Sequence, residues 1–221
     1  MTERAHAERH TTKGTRTKAR IVEAAAQLML QEGVEGTRME DVRRAAAVSS
    51  SQIYHYFADK QALVRAVVTH QAATVVARQE VAFAQMDTIE GLRRWRDALV
   101  AYQRTVDFVG GCPLGSLASE LAELDPASRE AARAGFEAWE GRIRHALGAM
   151  RDRGELAMDP DPLATALLAA VEGGLLLSKL ERSTRVLEGA LDAIIGLLAS
   201  SVNESSVRLA DVGRRAETGA P

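Results

Sequence analysis

Ala45-Ala46-Ala47-Val48-Ser49-Ser50-Ser51-Gln52-Ile53-Tyr54-His55-Tyr56-Phe57-Ala58-Asp59-Lys60-Gln61-Ala62-Leu63 is the stretch on which the fold turns. Ser49-Ser50-Ser51-Gln52 has the form of a capping box, in which the serine hydroxyl accepts the amide three residues on and the glutamine reaches back. Thr37-Arg38-Met39-Glu40 has the same form twelve residues earlier. Two capped starts so close together force two short helices joined by a tight turn, which is helix-turn-helix geometry. Asp59 then caps a longer helix through Leu63, Val67 and Val75 toward Met86.

On the short helix from Ser50, Ile53, Phe57 and Tyr56 fall on the inward side. Ser50, Ser51, Gln52, Tyr54 and His55 fall on the other. Hydroxyls and an amide near a helix start suit phosphates and base edges, and a tyrosine ring can also meet a thymine methyl. Lys60 is placed to neutralise a flanking phosphate. Thr37 and Arg38 open the preceding helix, where they can clamp the backbone from the other side, and Arg16, Lys18 and Arg20 add charge near the first helix. The competing reading is that Tyr54-His55-Tyr56-Phe57 is a core-facing aromatic patch. Four consecutive helical residues cover every side of the helix, so at least one of them is exposed.

The composition sets bounds on the rest. The chain has 221 residues, 46% of them apolar and only 4% aromatic, with alanine and leucine dominant. Strong helix formers without long β-branched runs point to an all-α protein. Net charge is −2, with +2 up to Lys60 and −4 beyond it, so nucleic-acid binding has to come from a local N-terminal patch. The N-terminus has no apolar run of the signal-peptide kind. The longest apolar stretch, Leu163 to Leu177, carries Glu172 and is too short to span a bilayer, so no membrane partner is expected. A single cysteine excludes an internal disulfide, and a cytoplasmic protein is the simplest expectation.

Along the chain, residues 1–15 read as a mobile arm carrying Arg4, His6, Arg9, His10 and Lys13. A helix is predicted from Thr17, with Ile21, Ala24, Ala25, Leu28 and Met29 on one face and Gly33 as its stop. Beyond Met86 five more helices are predicted: Thr88 to Phe108, Leu114 to Leu124, Pro126 to Arg153 behind an Asp125 cap, Pro162 to Arg182 behind Asp161, and Val186 to Ser200. Residues 203–221 are expected to be a disordered tail.

The first quarter of the chain resembles the TetR family of transcriptional regulators. The likeness runs over about residues 16–67. It is carried by Ile21-Val22-Glu23-Ala24-Ala25-Ala26-Gln27-Leu28-Met29-Leu30-Gln31-Glu32-Gly33, Gly36-Thr37-Arg38-Met39-Glu40-Asp41-Val42, Val48-Ser49, Ile53-Tyr54-His55-Tyr56-Phe57 and Lys60-Gln61-Ala62-Leu63. Where many members have a small residue and glycine before the turn, this chain has Ala45-Ala46-Ala47. The resemblance implies an N-terminal three-helix bundle with the helix-turn-helix (16–67), then a larger helical effector-binding and dimerisation domain (68–202). It also implies a homodimer on a double-stranded, palindromic operator. With no paired metal-ligand motif and no glycine-rich phosphate loop in the sequence, no cofactor or metal is expected.

In regulators of this kind two helices of each subunit form a dimeric four-helix bundle. The last two long helices are the candidates, through Leu176, Leu180, Ile194, Leu197 and Leu198 and a ridge of Gly189, Ala193 and Gly196. Packing within one subunit is the alternative. Trp95, Leu99, Tyr102, Val106, Phe136 and Trp139 could line an effector cavity or be plain core.

Cys112 follows Gly110-Gly111 and precedes a short helix, where the helix dipole favours thiolate. Gly111-Cys112-Pro113-Leu114-Gly115-Ser116-Leu117-Ala118-Ser119-Glu120-Leu121 resembles a subgroup that includes repressors of N-ethylmaleimide-reductase and lincomycin-resistance type. Some members sense electrophiles or oxidants through this cysteine with a lysine nearby, and Lys179 stands where that lysine would fall. The alternatives are a non-covalent small-molecule effector and an inert buried cysteine. Two other functions stay in view. An all-α adaptor binding protein partners is compatible with the near-neutral charge. A thiol enzyme would need a base beside Cys112, but His55, His70 and His145 are scattered and nothing in their spacing orients one of them.

Overall fold

The computed structural model describes residues 2–123 and 125–218, with side chains over 13–123 and 125–202. Ten helices and no strand lie among the described residues: α1 (Thr2–Gly36), α2 (Met39–Ala45), α3 (Ser50–Tyr56), α4 (Lys60–Arg78), α5 (Glu80–Phe83), α6 (Ile89–Thr105), α7 (Pro113–Leu121), α8 (Pro126–Asp152), α9 (Pro160–Glu181) and α10 (Arg185–Thr218). The protein is all-α, as its composition requires.

The chain forms two compact units. The first comprises Met1–Val75 with Pro113–Gly135, and the second Val76–Cys112 with Phe136–Pro221. Sequence order would divide the protein near residue 67. In the structure α7 and the start of α8 belong with the N-terminal helices.

In the first unit Ile21, Ala25 and Met29 of α1 are buried together with Val42, Ile53, Phe57, Leu63 and Val67. The leucines of α7, Leu114, Leu117 and Leu121, are buried too. At Gly135 an added Cβ would come 2.5 Å from the Ala72 Cβ, so α8 passes α4 at a distance only glycine allows. In the second unit α10 packs along α9 and α6. Leu187, Leu191, Ile195 and Leu198 form its buried stripe.

Several boundaries differ from the sequence expectation. Helix α1 starts at Thr2, and Thr17, where the helix was expected to begin, is a mid-helix residue whose hydroxyl donates to the Lys13 carbonyl at 3.0 Å. No proline interrupts the segment before it, so the backbone continues as helix where an arm was expected. Helix α10 likewise continues to Thr218. Met1 and residues 219–221 of the expected arm and tail, and the side chains of Arg4, His6, Arg9 and His10, lie outside the described residues.

Helix α4 ends at Arg78 rather than near Met86, because Gln79 takes φ −103°, ψ 0° and the short α5 follows. Helix α9 starts two residues early, since the Asp159-Pro160 pair supplies the cap and first-turn proline before Asp161-Pro162 can. Its 22 residues, running on past Leu177 to Glu181, make it long and apolar enough to cross a bilayer, against the shorter span read from sequence. The apolar character has another explanation in the fold, where one face of α9 is buried on α10.

Candidate DNA interface and effector region

The two caps predicted for the helix-turn-helix have different fates. The second forms as expected: Gln52 N donates to Ser49 Oγ at 3.2 Å, and Ser49 N donates to Gln52 Oε1 at 2.9 Å. The first does not form. The residue before α2 is Arg38, in extended conformation, with no side-chain cap. Thr37 instead donates its hydroxyl to the Gly33 carbonyl at 2.8 Å and is 1% exposed, while Glu40 binds Arg43. Thr37 is therefore withdrawn from the exposed surface as well as from the capping role. The threonine sits just past a break in α1, where the Gly33 carbonyl accepts its amide at 3.3 Å as well as its hydroxyl.

The turn between α2 and α3 is closed by Ala46 N to Val42 O (2.8 Å), Ala47 N to Arg44 O (3.1 Å) and Val48 N to Arg43 O (3.2 Å). Ala47 pays for this with φ 50°, a left-handed conformation that glycine adopts more readily.

On α3, Ile53 and Phe57 are buried and Tyr56 is half-buried, its hydroxyl beside Gly14. Ser50, Ser51, Gln52, Tyr54 and His55 are all exposed, Tyr54 by 56%. Two of these side chains are partly committed. Ser51 Oγ shares a hydrogen bond with Ser49 Oγ at 2.9 Å, and the Gln52 carbonyl oxygen is held by Ser49 N. Gln52 therefore presents its NH2 donors outward.

Arg16, Lys18 and Arg20 of α1 and Arg38 before α2 are exposed, and Lys18 Nζ lies 5.7 Å over the Phe57 ring. Arg43 and Arg44 are bound to Glu40 and Asp41 on the same helix. The Arg43 guanidinium holds the Glu40 carboxyl below its usual range. Lys60 is half-buried and donates to the Glu35 carbonyl at 3.3 Å, so its charge is tethered to the end of α1.

In the second unit the aromatic residues separate. Trp95 is fully buried and donates its indole N–H to Gln79 Oε1 at 2.8 Å, which makes it satisfied core. Tyr102 is 38% exposed, with its hydroxyl accepting from Arg78 at 2.7 Å and the guanidinium carbon 5.5 Å from the ring centre. It belongs to the surface and does not line an interior cavity. Phe136 is half-buried. Trp139 is 1% exposed and its indole nitrogen has no hydrogen-bond partner. Gln103 Oε1 and Ser178 Oγ are buried in the same condition. Sequence reading missed both, because a single polar residue in an amphipathic helix gives no sign of which face it occupies.

Cys112 is buried, and Glu172 is its hydrogen-bonding neighbour. Burial raises the Glu172 pKa, and the bond from Cys112 pulls it partly back. Glu172 Oε1 is buried without a further partner. The segment entering Cys112 is left-handed at Asp107 (φ 48°), Phe108 (φ 61°), Gly110 (φ 86°) and Gly111 (φ 65°); the two glycines adopt this freely, and the strain lies at Asp107 and Phe108. Arg182, itself left-handed at the end of α9, donates to Asp107 Oδ2 at 2.6 Å and holds the segment's first residue. A Cβ on Gly111 would lie 3.6 Å from the Leu175 carbonyl and 3.7 Å from Lys179 Cδ. Glu172, Leu175 and Lys179, on one face of α9, thus meet Gly111 and Cys112. Lys179 takes part with its hydrocarbon stem and is exposed, while the group bonded to the thiol is the Glu172 carboxyl.

On the outer side of α9 and α10, Leu176 (67% exposed), Leu180 (78%) and Leu197 (68%) stand in solvent. Gly189, Ala193 and Gly196 are exposed beside them, and a Cβ on either glycine would meet nothing within 4 Å. Leu198, expected on this face, is instead fully buried in the α10 stripe.

Residues 21–67 match the family model described as bacterial regulatory proteins, tetR family. Residues 88–194 match that of the tetracyclin repressor-like C-terminal domain. The chain is 29% identical to the HTH-type transcriptional repressor NemR of Escherichia coli K12, over 83% of this chain and 94% of that one. It is 27% identical to the HTH-type transcriptional repressor DhaR of Mycobacterium sp. strain GP1, over 87% and 98%. Among solved structures, a TetR transcriptional regulator from Chloroflexus aurantiacus superposes with a TM-score of 0.73 at 29% identity, covering 84% of this chain and 95% of that one. The reduced form of E. coli NemR gives 0.65 at 26% identity, covering 80% and 94%.

Proposed function

Because the chain belongs to the TetR family of bacterial regulatory proteins, we propose that it is a homodimeric transcriptional repressor released from a palindromic operator by a small-molecule effector. It is a DNA-binding regulator with a ligand-binding C-terminal domain, and its relatives are regulators rather than enzymes or adaptors. The observation that carries the operator reading is the exposed set Ser50, Ser51, Gln52, Tyr54 and His55 on a helix fixed at its start by the Ser49–Gln52 box. Gln52, Tyr54 and His55 read or position the operator. Arg16, Lys18 and Arg38 neutralise phosphates, and residues 16–67 supply the DNA-binding domain.

A single seven-residue helix contacts too few bases for specificity, so two subunits read two half-sites. Leu176, Leu180, Leu197 and the Gly189-Ala193-Gly196 ridge join them, since exposed leucines beside residues small enough for close helix approach suit a helix-on-helix interface. Such a regulator works in the cytoplasm. Trp139, Gln103 and Ser178 are buried polar groups that a polar effector can satisfy, each unsatisfied group costing about 1–3 kcal/mol.

The test is to sequence genomic fragments retained by the protein and measure binding to the recovered site. Binding should weaken steeply with salt, need both half-sites, and fall at least tenfold on Tyr54→Ala combined with Arg38→Ala. Equal affinity for a scrambled site would sink the reading.

A second reading is favoured by the strained approach to Cys112 and by a relative whose structure is named for its reduced form: modification of Cys112 by an electrophile or oxidant lowers operator affinity. Treatment with N-ethylmaleimide should reduce operator binding in the unchanged protein and leave Cys112→Ser unaffected. An equal loss in both would remove the cysteine from the mechanism.

A further inference from the structure

We propose that Glu120 is a positioning residue for the DNA-reading helices, its carboxylate holding the break at the end of α1 in the geometry from which α2 departs. The proposal rests on the operator-binding reading above. Gly33 has φ 77° and ψ 169°, which interrupts the helical ladder of α1. An interrupted ladder orphans the amides beyond it. The Val34 amide donates instead to Glu120 Oε2 at 2.7 Å, across 86 residues of sequence. A charged acceptor at this distance is among the stronger hydrogen-bond types.

The glycine serves the contact twice. It adopts the left-handed angle, and a Cβ there would stand 3.4 Å from Oε2 and 3.6 Å from Oε1, so the carboxylate lies against its open side. The Gly33 carbonyl accepts both the Thr37 hydroxyl (2.8 Å) and the Thr37 amide (3.3 Å). Thr37 is buried and adjoins Arg38, the residue from which α2 starts. Lys60, the first residue of α4, donates to the Glu35 carbonyl. Residues 33–37 are thus held by α7, by the approach to α2 and by α4 at once.

Helix α7 has a second attachment in the same unit, where Pro113, Ser116 and Leu117 lie along Ala26, Met29 and Gln71. A shift of α7 along this seam carries the Glu120 carboxylate away from the Val34 amide and frees the α1–α2 corner. The chain enters α7 directly from the strained segment ending at Cys112, with no intervening linker. A change in that segment therefore has a covalent route to the corner that sets α2 and α3.

Three substitutions test this. Glu120→Gln keeps an oxygen acceptor of the same reach, Glu120→Asp withdraws it by one methylene, and Glu120→Ala removes it. Two quantities are read: amide hydrogen exchange at Val34 without DNA, and affinity for the recovered operator well below the melting temperature. Glu120→Ala and Glu120→Asp should speed Val34 exchange and weaken operator binding, each by about tenfold, while Glu120→Gln stays within about threefold on both. A purely structural contact would lower the melting temperature without moving operator affinity in the folded protein, and that result overturns the proposal. Unchanged Val34 exchange in Glu120→Ala overturns it as well. If Glu120→Ala does not fold, Glu120→Asp carries the comparison. If the unchanged protein binds no operator, the regulator reading fails instead, and Val34 exchange still decides whether the contact holds the corner.

Discussion

The Cys112 thiol is hydrogen-bonded to the Glu172 carboxyl, and that carboxyl is held above its ordinary pKa by burial. An acid raised in the folded state contributes its full stability below its unfolded pKa, about 4.3, and loses it as pH rises through the native value. Glutamine in its place has no proton to lose. Glu172→Gln should therefore melt higher than the unchanged protein at pH 7, each kcal/mol of difference being worth about 2–4 °C in a chain of this size. The gap should close below about pH 4. Melting curves from pH 4 to 8 decide it, and a gap independent of pH would assign the effect to packing.

The turn of the helix-turn-helix carries a local cost that one substitution removes. Ala47 has φ 50°, where an L-residue is disfavoured by about 1–2 kcal/mol relative to its right-handed form. Its side chain is exposed, so nothing is lost when it is removed. Glycine gives back part of the gain through its greater freedom when unfolded. Ala47→Gly should raise stability by about 0.5–1 kcal/mol in denaturant titrations and leave operator affinity within about twofold. A loss of stability would mean that the left-handed turn is not the conformation in solution.

The helix-turn-helix and the helical body were legible in the sequence because their signals are local. Ser49 and Gln52 sit three residues apart and meet in the fold at 2.9–3.2 Å. Thr37 and Glu40 have the same spacing but fail to meet, because Gly33 four residues upstream offers Thr37 a carbonyl and Arg43 three residues downstream takes Glu40. The spacing of a capping box is thus not sufficient to form one, and α2 starts without it; the competing partners decide the outcome. The partners of distant segments left no trace at all. Nothing in the spacing of Cys112 and Glu172, or of Val34 and Glu120, marks them as neighbours, since each pairing is made by tertiary packing. Glu172 is the clearest case: in sequence it only interrupts an apolar run, and in the fold it is the cysteine's neighbour.

The exposed leucines of α9 and α10 predict an oligomeric state. Leu176 and Leu197 are each about two-thirds exposed in the single chain, so neither contributes much to the fold of one subunit. Leu176→Glu with Leu197→Glu should leave helicity intact and convert a dimer to a monomer in sedimentation. Operator affinity should fall by at least a hundredfold, because the gain from a second tethered half-site is lost. A double variant that sediments as a dimer and binds DNA normally would place the interface elsewhere.

Adjacent glycines on α9 separate packing within one chain from packing between chains. At Gly174 an added Cβ would come 2.7 Å from Leu187 Cδ1 and 2.8 Å from its Cα, and a backbone atom cannot step aside. Gly174→Ala should therefore push α10 away from α9 and destabilise the protein by about 1–3 kcal/mol, the usual cost of overpacking. At Gly173 the same Cβ would meet nothing within 4 Å. Judged on one subunit, Gly173→Ala should stabilise α9 by up to about 1 kcal/mol through helix propensity. Gly173 is exposed three residues before Leu176, so it lies on the proposed subunit interface. If a second chain approaches closely there, the methyl group enters that contact and the gain depends on protein concentration. Melting curves of both variants over a hundredfold concentration range separate the two effects: Gly174→Ala should lose stability at every concentration. Gly173→Ala should gain at the lowest, where subunits are apart, and lose that gain as they associate. A concentration-independent gain at Gly173 would remove this part of α9 from the interface.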